Sequence, residues 1–134
     1  MRGKCLCGLI EFEAQEIPGM VFNCHCSRCR ISHGADYATQ AFAVRNSLKF
    51  IKGEEFLKEY ESTGGIRTFC SICGSRLMNY AKNRGDYLSI AISCLDSTYQ
   101  GQAVAHCFTG SKAPWHNPSG DIPSFEGLPN NLSD

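Results

Sequence analysis

Between positions 24 and 29 the chain reads Cys-His-Cys-Ser-Arg-Cys, which places three thiols within six residues directly after the apolar Met20-Val21-Phe22. Three sulfurs this close suit a metal. Zinc binds thiolate at about 2.3 Å in a tetrahedron, so its sulfurs lie roughly 3.8 Å apart, and one tight turn can present three of them at that spacing. A fourth is hard to supply from the same turn. Three protein ligands with one vacant position is the arrangement of a catalytic zinc, whereas four closed ligands is that of a structural one. Cys24, Cys26 and Cys29 are therefore the candidate active site.

The chain has nine cysteines, an odd number, and seven of them fall in Cys-x-Cys or Cys-x-x-Cys spacing. Met1-Arg2-Gly3-Lys4 leads into cysteines rather than into an apolar signal segment, so metal binding is preferred to disulfides and the protein is expected to be soluble and cytoplasmic. No run approaches the roughly 18 apolar residues of a membrane span. The seven motif cysteines sort into two pairs, Cys5 with Cys7 and Cys70 with Cys73, and the trio at 24, 26 and 29. The economical assignment has the two pairs close a four-sulfur structural zinc while the trio holds a second zinc, giving two Zn²⁺ per chain. Spacing alone leaves other pairings open.

At 134 residues the chain suits one domain, expected over residues 1–125, with an irregular Pro/Gly-rich tail from about 112 and a C-terminal extension at 126–134. Thirteen basic residues balance thirteen acidic ones, and seven thiolates around two doubly charged ions bring the net charge to about −3. This is not the basic footprint of a nucleic-acid binder. No motif marks a membrane partner, and oligomeric state is not encoded in any recognisable way.

Alternation of Ile10, Phe12 and Ala14 with Glu11 and Glu13 predicts a strand over 9–14 with one wet face, with Cys5 and Cys7 on the same side of the chain where it begins. Ile17-Pro18-Gly19 predicts a turn, Met20 to Cys26 a strand, and Ser27 to His33 a helical turn ended by Gly34. Tyr37 to Val44 alternates again, with Ala38, Phe42 and Val44 on one face and Thr39, Ala41 and Ala43 on the other. Leu48 and Phe50 continue in the same manner as far as Gly53, and 56–60 is too short to assign. Gly64-Gly65 signals a hairpin leading into Cys70-Ser71-Ile72-Cys73-Gly74, a knuckle in which the glycine takes positive φ and amides point at the sulfurs. Tyr87 to Cys94 and Ala103 to Phe108 are the remaining predicted strands, and Trp115 and Phe125 are expected to pin the tail. The fold class is all-β.

Several side chains near the motifs have both an ordinary and a functional reading. By alternation His25 points away from the metal. Arg28 and Arg30 are counter-charges to the thiolates or plain surface charge. His33 and His106 are the two candidates for a fourth ligand or a site contact, against the simpler readings of a surface histidine and a hydrogen-bonded structural histidine. Cys94 and Cys107 read as small buried hydrophobes, and Trp115 as an anchor rather than a pocket wall.

Taken together, Cys5-x-Cys7-Gly8, Cys24-His25-Cys26-x-x-Cys29-Arg30, Phe69-Cys70-x-x-Cys73-Gly74-x-x-Leu77 and His106-x-Phe108-x-x-Ser111-x-x-x-Trp115 resemble the glutathione-dependent formaldehyde-activating (GFA) family, which includes the centromere protein V domain. The resemblance spans Gly3 to about Phe125. It implies coiled antiparallel β-sheets of the Mss-like type around a four-cysteine structural zinc, with the three-cysteine zinc as active centre, and so selects the pairing given above. It also implies carbon-sulfur lyase activity of the S-(hydroxymethyl)glutathione synthase kind, joining glutathione and formaldehyde, with a small thiol such as glutathione as partner. The alternatives are a non-catalytic zinc module that binds a protein, and a chromatin module, which the absence of a basic patch disfavours.

Overall fold

A computed structural model describes residues 1–82 and 85–129; residues 130–134 of the expected C-terminal extension lie outside them. The elements follow one another as β1 (Arg2–Lys4), β2 (Glu11–Glu13), β3 (Glu16–Cys24), α1 (Ser27–His33), β4 (Ala38–Val44), β5 (Lys49–Lys52), β6 (Leu57–Ser62), β7 (Gly65–Cys70), β8 (Arg76–Tyr80), β9 (Tyr87–Ala91) and β10 (Ala105–Cys107). Among the described residues the protein is mostly β, with one short α-helix, as its alternating apolar pattern predicts. No helix among the described residues is long and apolar enough to cross a membrane.

Two compact units divide the chain. The first comprises Met1–Pro18 and Ala41–Gln100, the second Gly19–Gln40 and Gly101–Asp134, so the boundaries fall inside β3 and β4.

In the first unit, β1, β2 and β5 form a small antiparallel sheet, while β9, β8, β7 and β6 form an antiparallel run next to the Ala41–Val44 half of β4. Its core is Ile10, Phe12 and Ala14 from one side of the predicted first strand, together with Ala43, Leu77, Met78, Leu88 and Ile90. Cys5 and Cys70 belong to the same core, so the first sulfur cluster and the apolar interior are one packed body. The hairpin pairs Ser62 with Gly65 around a Thr63-Gly64 turn, as its glycines predict.

A bulge interrupts the β7–β8 register, where Arg67 faces Asn79 and Phe69 faces Arg76. Thr68 thus opposes both Leu77 and Met78. Its hydroxyl donates to the Met78 carbonyl at 2.8 Å and accepts from the Met78 amide at 3.1 Å, satisfying the backbone groups that the extra residue would otherwise orphan. The bulge is why Leu77 and Met78, neighbours in sequence, are both fully buried.

In the second unit, β10 runs parallel to β3, pairing Ala105 with Phe22, His106 with Asn23 and Cys107 with Cys24, and β3 neighbours β4. α1 ends at Gly34, which takes φ 61° and donates its amide to the Ile31 carbonyl.

Several predicted elements differ. Ile17-Pro18-Gly19 does not turn the chain; it lies within the nine-residue β3, where Gly19 at φ 79° supplies a local kink. That strand stops at Cys24, not Cys26. Tyr87–Cys94 is a strand only to Ala91 and then a single 3₁₀ turn over Ile92–Cys94. In β4 the buried residues are Ala38, Gln40, Ala41 and Ala43, so the buried parity changes between Gln40 and Ala41, and the simple two-face pattern does not hold along the whole strand. Trp115 is no apolar anchor: it is 70% exposed. Backbone bonds hold the tail instead, with His106 N–H donating to Pro123 O and Phe125 N–H to His106 O, both at 2.9 Å.

Gly53 tests the backbone argument. It sits at φ 82°, and a Cβ there would come within 1.9 Å of the Leu9 carbonyl oxygen. Both the left-handed conformation and the contact forbid a side chain, so Gly53→Ala is expected to destabilise the fold by about 2 kcal/mol or more, measured by urea denaturation.

Candidate metal centre

Two sulfur clusters assemble, one in each unit. Cys5, Cys7, Cys70 and Cys73 bring four Sγ atoms within 4.8 Å of one another, and Cys24, Cys26 and Cys29 bring three. Within the first, Cys5 and Cys7 are 3.5 Å apart and Cys7 and Cys70 3.8 Å apart; within the second, Cys24 and Cys26 are 3.5 Å apart. These are close to the roughly 3.8 Å sulfur spacing of tetrahedral zinc, and an all-thiol donor set suits that ion. Both clusters could hold zinc.

The first cluster is made of two knuckles. Cys5 and Cys7 are not presented by strand alternation, because β1 ends at Lys4 and residues 5–8 form a turn that mirrors the second knuckle. Gly8 takes φ 79° and Gly74 φ 80°. Amides aim at the sulfurs in both: Ile10 N–H donates to Cys5 Sγ at 3.3 Å, Ile72 N–H to Cys70 Sγ at 3.4 Å, and Cys7 N–H to Cys73 Sγ at 3.4 Å. Ser75 adds a clip, its hydroxyl accepting from Leu6 N–H at 2.9 Å and lying 3.2 Å from Cys73 Sγ. That hydroxyl contact, ahead of the backbone amides, holds the Cys73 thiol down at about 5. For Cys7 the Leu9 amide pulls downward but is outweighed by desolvation and by the neighbouring thiols, which push it up to about 12. The amides and the Ser75 hydroxyl thus favour negative charge on the sulfurs they touch, which a divalent cation would neutralise.

The second cluster spans the end of β3 and the start of α1. Cys24 closes the strand, Cys26 is the helix N-cap, and Cys29 sits in the first turn, its amide donating to Cys26 Sγ at 3.3 Å. Cys24 and Cys29 are buried while Cys26 is partly exposed. Without a cation the thiols resist ionisation: Cys24 is raised by the adjacent Cys107 and then by Cys26, and Cys29 by Cys24, Cys26 and burial. Cys107 is indeed buried, as its apolar strand predicts, but its thiol lies beside the cluster. Cys94 stands apart from this cluster; its thiol donates to Ala91 O at 3.0 Å, and burial raises it to about 12.

Neither His33 nor His106 joins the three sulfurs in the cluster, which among the described residues has no fourth protein ligand. His106 is instead the centre of a buried polar network. Its Nε2 lies 3.0 Å from the Ser119 carbonyl oxygen, which can only accept, so Nε2 carries the proton and Nδ1 is bare. His25 Nε2, at 3.2 Å from that Nδ1, must then donate, and Asn23 Nδ2 donates to it at 3.4 Å. Thr39 completes the chain by donating to Asn23 Oδ1 at 2.6 Å.

His25 is 0% exposed, lies just past the end of β3, and its ring packs against those of Tyr37 and His116. Burial comes first, followed by the neighbouring His106, His116, Lys112 and Arg30, and together they keep it neutral with a pKa of about 4. Arg30 donates to the His25 carbonyl at 3.4 Å and to the Ser111 carbonyl at 3.0 Å, tying the tail to the motif, whereas Arg28 is exposed. Trp115 donates to Asp36 Oδ1 at 2.7 Å.

Sequence reasoning missed Asn23, Thr39, Gln40 and Ser75. For Gln40 a signal existed: a lone amide among the alanines of Ala-Thr-Gln-Ala-Phe-Ala. Its Nε2 donates to Cys29 Sγ at 3.4 Å.

A sequence model described as glutathione-dependent formaldehyde-activating enzyme matches residues 1–111. No curated protein matches the chain. Among solved structures, the chain is similar to a Rhodobacter sphaeroides protein, with 24% identity over 93% of this chain and 100% of that one and a TM-score of 0.64, a likeness of fold.

The buried network also yields a test. Thr39→Val keeps the side-chain shape but removes the donor to Asn23 Oδ1, leaving a buried acceptor unpaired. A loss of about 1–3 kcal/mol is expected in urea denaturation.

Proposed function

Because the chain belongs to the glutathione-dependent formaldehyde-activating enzyme family, we propose that it is a zinc-dependent carbon-sulfur lyase that joins a small thiol, glutathione first among them, to formaldehyde and reverses that reaction. The observation that carries this reading is the three-sulfur cluster of Cys24, Cys26 and Cys29, which draws no fourth protein ligand from the described residues. In this reading Cys5, Cys7, Cys70 and Cys73 hold a structural zinc and Cys24, Cys26 and Cys29 a catalytic one. Zinc at the latter supplies a positive charge that keeps an incoming thiol ionised at neutral pH.

The reaction needs little more than that ionised thiol and a carbonyl held beside it. The sulfur electron pair forms the new bond to the formaldehyde carbon, the carbonyl π pair moves onto oxygen, and the proton lost by the thiol ends on that oxygen as the S-hydroxymethyl hydroxyl. Holding the two reactants in contact is the proximity part of catalysis. The chain contributes a fixed frame. The Cys29 amide orients Cys26 Sγ, the His25–His106–Asn23–Thr39 network fixes the backbone between the first two cysteines, and Arg30 ties that backbone to Ser111. Cys26, the partly exposed member, is the side from which a thiol reaches the centre.

The two clusters are expected to fail differently. Elemental analysis should report two zinc ions per chain. Cys70→Ser should abolish cooperative folding, because metal closure of a small domain contributes on the order of 10 kcal/mol, while Cys29→Ser should remain folded with one zinc. Thermal melts with metal analysis of each variant distinguish the two, and the opposite ordering would exchange the roles.

Calorimetric titration with glutathione tests the function itself. Wild type should bind and Cys29→Ser should not, with binding tightening as pH rises from 6 towards neutrality, since the thiol must release its proton to bind. Equal binding by both proteins would remove the site from the lyase reading and favour a protein-binding module.

A further inference from the structure

We propose that Gln40 is a positioning residue of the three-cysteine centre, its side-chain amide serving as a hydrogen-bond donor to the Cys29 sulfur. The inference rests on the reading of that centre as a metal site and adds to it a residue outside the cysteine motifs. Gln40 is only 7% exposed, in a strand whose other buried members are alanines. Burying an amide in such surroundings is unfavourable unless it is bonded, and an apolar side chain of similar size would fill the space at lower cost. Its Nε2 lies 3.4 Å from Cys29 Sγ. An amide N–H can only donate, so the sulfur accepts, and an ionised sulfur with all its lone pairs free is the stronger acceptor.

The placement is rigid. Thr39, next in the strand and on its opposite face, donates to Asn23 Oδ1 at 2.6 Å, so β4 cannot slip by one residue without breaking that bond and withdrawing Gln40 from the sulfur. Cys26 Sγ already receives the Cys29 amide within the motif. Gln40 gives Cys29 the same service from eleven residues away. A thiolate that accepts a hydrogen bond carries less charge towards a metal. Three thiolates around a divalent ion are collectively anionic, and adding a fourth makes them more so; a donor on Cys29 eases the approach of an anionic thiol and holds the sulfur in place. Such outer partners of metal ligands typically change metal affinity by roughly 10- to 100-fold when removed.

The test uses the full-length protein loaded with Co²⁺ in place of zinc, comparing wild type, Gln40→Met and Gln40→Glu. Methionine keeps the volume and removes the donor; glutamate keeps the shape and replaces the donor with an acceptor. Metal competition with a chelator reports affinity, and the sulfur-to-cobalt charge-transfer band reports the electronic state of the sulfurs. Both variants should fill the four-cysteine site as wild type does. At the three-cysteine site Gln40→Met should bind about 10- to 100-fold more weakly, with the band moved to lower energy, and Gln40→Glu more weakly still. Wild-type affinity and an unmoved band in folded Gln40→Met would overturn the proposal. If Gln40→Met unfolds, Gln40→Glu decides: full retention of the second cobalt overturns it, selective loss supports it. A wild-type protein that takes up one cobalt only would overturn the metal reading of Cys24, Cys26 and Cys29 and this proposal with it, whereas two cobalts in all three proteins at equal affinity would overturn the role of Gln40 alone.

Discussion

Everything in the first unit depends on bringing four sulfurs together from two stretches that are 63 residues apart at their nearest bonded pair, Cys7 and Cys70. Chain entropy opposes that closure only weakly in its length dependence, each doubling of the loop adding about 0.6 kcal/mol. The larger obstacle is electrostatic. Buried thiols resist ionisation, and four ionised thiols within 4.8 Å repel. The knuckles answer locally, with amides on Cys5, Cys70 and Cys73 and the Ser75 hydroxyl against Cys73. A divalent cation answers the remainder. Because Cys5 and Cys70 are also members of the apolar core, charge compensation at the sulfurs and packing of Phe12, Leu77 and Ile90 are one cooperative event.

The second unit is built on a different economy. Its interior holds His25, His106, Asn23 and Gln40 beside the smaller apolar residues Val21, Ala38, Ala105 and Ala113. Such an interior is stable only when its hydrogen bonds are made, since each unpaired buried group costs about 1–3 kcal/mol. The Ser119 carbonyl starts a chain of obligations that fixes the proton on His106 Nε2, the direction of the His25–His106 bond and the orientation of Asn23. The gain is directionality: side chains held this way keep their positions around the three-sulfur cluster where an apolar interior would allow sliding.

What the sequence made legible divides along the same line. Cysteine spacing is a local property, and the three-sulfur cluster, the two cysteine pairs, the α1 turn ending at Gly34 and the glycine-led hairpin at Thr63-Gly64 follow from residues adjacent in sequence, whereas the joining of the two pairs into one cluster came from the family resemblance. The wet and dry faces of 9–14 were equally readable because one side packs a core and the other meets water. The network was not readable. Asn23, Thr39 and Ser119 are common residues whose importance comes from register across β3, β4 and the tail, and register is a tertiary property. The bulge at Thr68 is invisible for the same reason. Trp115 misled because aromatic residues are usually anchors, yet here the indole serves as a donor to Asp36 at the surface. The turn predicted at Pro18-Gly19 failed because a strand with exposed residues tolerates both residues as a kink.

The contrast between the clusters carries the functional argument one step further. In the four-sulfur cluster the donors come from the knuckles themselves: backbone amides of residues 7, 9, 10, 72 and 75, and the hydroxyl of a serine two residues past Cys73. Such a cluster is self-contained, and its environment is complete once the turns have formed. The three-sulfur cluster recruits its surroundings from elsewhere, with Gln40 from β4 against Cys29 and Cys107 from β10 beside Cys24. A purely structural clip has no need of neighbours from two other strands, since its task ends with holding the chain. A centre whose remaining position is to accept an exchangeable anionic ligand must tolerate a change in charge without rearranging. In the lyase reading the Gln40 donor would serve that tolerance, spreading added charge from a strand whose register Thr39 fixes.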